Sequence, residues 1–130
     1  MFMIPISMVN LITILEFIGL RDLCWSMLHL WATSKQESEI DILDLEEKTK
    51  AKFGYQLDWD SLLAIAKQLE QVNECTIVGV NPTESLPNRS LSLEDLRKIC
   101  HVVIEAVDSS YWEVFLKDEV LSKRLVEKFS

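Results

Sequence analysis

The sequence predicts a mainly α fold: one compact bundle of five or six helices, with a short strand or hairpin near residues 75–80 and an α+β arrangement as the alternative. Three observations carry this expectation. Only three glycines and three prolines interrupt 130 residues, which favours long regular elements over a turn-rich sandwich. Apolar residues recur at steps of three and four along several stretches. Residues of helix-capping type stand ahead of those stretches. No repeat or long linker divides the chain, so residues 1–130 are read as a single helical domain of a size that can bury one core.

The chain opens on an apolar segment. Residues 1–31 hold only three charged side chains, Glu16, Arg21 and Asp22. Within it, residues 7–33 are expected to be helical. Ser7 stands where an N-cap would, and from Met8 to Ile18 apolar side chains occupy the whole circumference. A helix of that kind belongs in a core, against a second subunit or in lipid. Gly19 is expected to bend or break it. From there Gly19, Asp22, Ser26, His29 and Thr33 share one helical face, and Leu20, Leu23, Cys24, Met27, Leu30 and Trp31 share the other. Trp25 falls off that apolar stripe, near the polar edge. Met8, Leu11, Ile12, Leu15, Ile18 and Trp25 are therefore the candidate interface residues, and burying them between copies would make a homo-oligomer.

A membrane reading is weaker. A spanning helix needs about 20 apolar residues, whereas Pro5, Asn10 and Glu16 interrupt this window and its extension admits Arg21 and Asp22. No lysine or arginine precedes the apolar run, so it lacks the pattern of a signal peptide. Anchoring by residues 1–18 stays as an alternative.

The remaining elements follow in order. Residues 33–39 form a polar link, with Ser34 and Ser38 as capping residues. Residues 37–53 run from acids (Glu37, Glu39, Asp41, Asp44, Glu46, Glu47) to bases (Lys48, Lys50, Lys52) and then Gly54. That order suits a helix dipole and a glycine C-cap. Asp58 or Asp60 caps a helix over 59–72, and Leu57 and Leu62 are spaced as a hydrophobic staple. Residues 75–80 are short and β-branched, the best strand in the chain. Residues 81–90, with Pro82 and Pro87, form a loop. Ser92 begins a helix reaching Val107, its apolar face made by Leu93, Leu96, Ile99, Cys100, Val103, Ile104 and Val107. Ser110 and Glu113 make a capping box opening a helix over 111–129. Residues 111–116 also fit a strand, which would make 75–116 a strand–helix–strand unit.

Composition narrows the function. The net charge of −8 lies wholly in residues 37–130, because Glu16 and Asp22 balance Arg21 and Lys35 before them. An acidic surface repels phosphate backbones and anionic lipid, so no direct nucleic-acid binding is expected, and a basic protein partner suits it. Three cysteines without paired spacing are not a disulfide framework, and a reducing cytoplasm is the expected setting. Cys24 with His29, and Cys100 with His101, lack metal-ligand spacing. No nucleophile elbow, P-loop or dinucleotide fingerprint occurs, so no cofactor is expected. The reading is a non-enzymatic acidic protein acting by protein–protein interaction, as a regulator, adaptor or inhibitor of the immunity type. A small enzyme with a site assembled around His101 is the alternative.

Overall fold

The computed structural model describes residues 3–7 and 9–129. It overturns the helical bundle. The described residues form one six-stranded antiparallel sheet, ordered β1-β6-β5-β4-β2-β3, with five short helices. The strands are β1 (Ile4–Ser7), β2 (Cys24–Ser34), β3 (Tyr55–Leu57), β4 (Leu69–Val80), β5 (Val102–Val107) and β6 (Tyr111–Leu116). The helices are α1 (Leu11–Ile18), α2 (Ile42–Lys48), α3 (Trp59–Gln68), α4 (Leu93–Ile99) and α5 (Glu119–Phe129).

The largest correction concerns residues 7–33. Among the described residues there, only α1 is helical, and it ends on Gly19, whose φ of +61° and N–H bond to the Leu15 carbonyl (2.9 Å) close the helix. Residues 24–34, expected as an amphipathic helix, are β2. The reason lies in its register. Met27 pairs with Ile77 but His29 pairs with Thr76, so Leu28 is an extra residue in a β-bulge. The core-facing residues therefore run Trp25, Met27, Leu30, Ala32. Steps of two, three and two mimic the spacing of a helix.

A similar substitution of strand for helix occurs twice more. The helix begun at Ser92 stops at Ile99 instead of reaching 107, and residues 102–107 are β5. Residues 111–116 are β6, and the last helix starts only at Glu119. The hairpin joining β5 and β6 turns through Asp108 (φ +49°) and Ser109 (φ +61°), neither of them the glycine that signals such turns. The Ser109 hydroxyl donates to Asn73 Oδ1 at 2.6 Å and steadies this left-handed backbone.

Other local expectations agree with the structure. Asp58 Oδ1 accepts from the Ser61 N–H at 2.8 Å, capping α3. α2 departs from the predicted 37–53: Asp41 in place of Ser34 or Ser38 accepts from the Asp44 N–H and caps it, and it ends at Lys48 with Thr49, not Gly54, as its C-cap. Ser92 caps α4, and the strand expected at 75–80 is the end of a longer β4.

Two hydrophobic layers sandwich the sheet unequally. The larger joins Ile6, Met27, Ile77, Ile104 and Val114 of the sheet to Leu11, Ile14, Leu15 and Ile18 of α1, Leu62 of α3 and Leu125 of α5. The smaller lies on the opposite face. There Leu28, Val78, Val80, Val103 and Phe115 meet Leu96 of α4 and Cys100. The smaller layer spans only one half of its face.

Gly54 holds the turn into β3 with φ +73°, and a Cβ there would stand 2.6 Å from the Met27 carbonyl and 2.6 Å from Ser26 Oγ. At Gly19 the nearest atom would be 3.8 Å away. Gly54→Ala is therefore expected to destabilise by about 3 kcal/mol or more. Gly19→Ala should cost only about 1 kcal/mol. Urea unfolding of the two variants tests this ordering.

Candidate functional site

The uncovered half of the second sheet face is the candidate site. Antiparallel partners standing directly opposite point to the same side of a sheet. Trp31 pairs with Glu74, His29 with Thr76, Thr76 with Glu105, Glu105 with Glu113, and Val107 with Tyr111. These residues make two adjoining rows across β2, β4, β5 and β6, the first of which borders α4. Two of the acids alternate with core residues. Glu105 sits between Ile104 and Ala106, and Glu113 between Trp112 and Val114, all four buried on the other side.

Trp31 dominates the surface of this half. It is 57% exposed, while Trp25, Trp59 and Trp112 are buried. His29 Nε2 lies 3.3 Å from Glu74 Oε2. The Tyr111 hydroxyl donates to Glu113 Oε1 at 3.3 Å, and partial desolvation followed by the charge of Glu113 pushes this phenol above its usual value. Glu105 lies deeper. Its Oε2 is buried without a hydrogen-bond partner. Burial first, and the facing Glu113 second, push its carboxyl up, against an opposing pull from Arg97.

A cavity of about 250 Å³ joins this half-face to the underside of α4, lined by Leu28, His29, Thr76, Arg89, Leu91, Leu93, Leu96 and Glu105. Arg89 Nε donates to the carbonyl of the bulged Leu28 at 3.2 Å, so the guanidinium braces the first of the three irregularities in the pairing of β2 with β4.

The structure places the interface candidates elsewhere. Leu11, Leu15, Ile18 and Trp25 are buried in the chain's own larger core, and the Trp25 indole donates to the Leu20 carbonyl at 3.1 Å. Ile12 is half-buried against the same core, and Met8 lies outside the described residues. Trp31, which helical phase put on the apolar stripe, is the exposed tryptophan instead. A single carboxylate inside each of the strands VVIEAV and YWEVFL was the available signal, since a lone acid among apolar strand residues marks a side facing water.

Residues 100 and 101 are arranged for packing. Cys100 is buried beneath α4, and burial followed by the charge of Glu84 pushes its thiol up to about 11. His101 Nε2 lies 3.8 Å from Glu84 Oε1. Cys75 is fully buried and pushed up to about 12 by that burial. Among the described residues no group of three or more His, Cys, Asp or Glu gathers to hold a metal ion. Nor is any described helix long and apolar enough to cross a membrane. Comparison with family models, curated proteins and solved structures finds no match for this chain, so the reading of the site rests on its own geometry.

Two outcomes follow from these environments. Cys24 is exposed and the other two thiols are buried. A thiol reagent should label Cys24 alone in the native protein, and Cys75 and Cys100 only in denaturant, read by mass spectrometry. The carboxyl of Glu105 is raised in the folded state, so its contribution to stability is full at low pH and is lost as pH rises through the folded value. Glu105→Gln should therefore be more stable than the parent at pH 8, with the advantage shrinking towards pH 4. Urea titrations at the two pH values measure it.

Proposed function

We propose that this chain is a non-enzymatic binding protein, a regulator, adaptor or inhibitor, that engages another protein through the open half of its sheet. One observation carries the reading: a tryptophan more than half exposed stands in the middle of an otherwise ordered strand. Tryptophan is among the most frequent anchors of protein interfaces, because one side chain presents a large rigid area at little entropic cost. The surrounding His29, Glu74, Thr76, Glu105, Tyr111 and Glu113 supply the polar groups that orient a partner. The shape supports a macromolecule over a small substrate, since the half-face spans four strands and its cavity lies at the α4 edge. The catalytic alternative around His101 gains no comparable support, because the adjacent Cys100 thiol is buried and held protonated.

The Trp31→Ala variant tests this. Affinity capture with the intact chain, followed by purification of the captured protein, supplies the partner. Trp31→Ala should weaken its binding by about tenfold or more, while thermal unfolding changes little because the side chain is largely in solvent. Acrylamide quenching of the parent's exposed indole should fall in the complex. Equal binding by the parent and Trp31→Ala would sink the proposal.

A further inference from the structure

Resting on that docking reading, we infer that the occupant of the open half-sheet is a cationic segment of the partner, whose Lys or Arg side chains seat against Glu74, Glu105 and Glu113 beside Trp31. The charges on this half are out of balance. Glu105 and Glu113 stand directly opposite one another on β5 and β6, an arrangement in which like charges destabilise a sheet. Among the described residues neither forms an ion pair within 4.0 Å. Glu74 on β4 adds a third carboxylate and Asp108, at the adjoining turn, a fourth.

The bases facing them are fewer and partly engaged. His29 on β2 leans on Glu74. Arg89, from the loop before α4, is turned to the Leu28 carbonyl. Arg97 on α4 pulls on Glu105 without reaching it as an ion pair, and its own Nε is buried without a partner. A partner's lysine or arginine supplies what the pair lacks, a positive charge set between two facing carboxylates. At the other end of the half-face the Trp31 ring, opposite Glu74, accepts a cation on its face as well as an aliphatic stem.

Charge also separates this occupant from its rivals. A second copy meeting the chain face to face would set carboxylates against carboxylates. A nucleic acid would bring phosphates to the same surface. A cationic protein segment is the one of the three that the field attracts.

A ten-residue lysine peptide is a direct probe, followed by amide chemical shifts at low salt. The compared variants are E105Q/E113Q and, as a control of equal charge change, E37Q/E39Q in the link beside the end of α3. We expect shifts centred on residues 29–31, 74–76, 105 and 111–113. E105Q/E113Q should weaken binding about tenfold, and E37Q/E39Q less than about twofold. Equal weakening by both pairs, or shifts spread over the whole surface, would show attraction to net charge alone and overturn the inference. The captured partner separates the two readings. If Trp31→Ala abolishes its binding but E105Q/E113Q and added salt leave it unchanged, the cationic occupant is wrong and the docking face stands. If none of these changes matters, both fall.

Discussion

The structure depends on β4. It lies between β2 and β5, pairing with the first over ten residues and with the second over five, so both long halves of the sheet are hung on it. Its sequence records what covers it. From Ile77 to Val80 the run is apolar and fully buried, as in a strand packed on both faces. From Gln71 to Thr76 polar residues return, as in a strand packed on one face only. The same boundary crosses β5, where Val102, Val103 and Ile104 give way to Glu105, and β6, where Glu113 precedes the buried run Val114, Phe115 and Leu116. One line across three strands thus divides a doubly covered half-sheet from a singly covered one.

Helix supply explains why the division exists. α1, α3 and α5 contribute to the larger core, whereas α4, a helix of 7 residues, is the helix of the smaller one. At about 1.5 Å per residue such a helix spans about 10 Å, roughly half the length of a six-residue strand at about 3.4 Å per residue. The remaining half needs side chains that tolerate water, and the sequence places Thr76, Glu105 and Glu113 there. Bulging and exposure are linked in the same way. The extra residue at Leu28 moves Leu28 into the smaller core and leaves Trp31 on the open side. Arg89 then satisfies the carbonyl that the bulge turns away from the ladder. The aromatic anchor and the acidic rows arise from one irregularity and one short helix.

Much of the local structure was legible in the residues. The caps of α3 and α4, the loop at 81–90 and the strand at 75–80 rest on interactions within a few positions, and sequence spacing describes those directly. Strands β2 and β5 were not legible as strands, and β6 was legible only as the alternative for residues 111–116. β2 carries a helix-like spacing because of its bulge, β5 is a short apolar run that periodicity cannot assign, and the β5–β6 turn uses Asp108 and Ser109 where glycine is the usual sign. The scarcity of glycine and proline reflects this economy of turns and was misread as helix. The site was missed for the same reason: a strand of strict period two would put Trp25 and Trp31 on one face, and it is the bulge at Leu28 that buries the first and exposes the second.

By itself, then, the sequence determined the acidic charge and its location, the cap residues and the apolar segments that had to be buried, because each is a property of composition or of neighbours in the chain. The tertiary structure alone decided which face of each segment is buried, since that depends on pairing between residues tens of positions apart. Glu105 and Glu113 are eight residues apart in sequence, yet a turn with two left-handed residues sets them opposite each other. Glu74 and Trp31 join them only through the long pairing of β2 with β4. An open acidic half-sheet with one exposed tryptophan is a product of register, and register is set only when the sheet assembles.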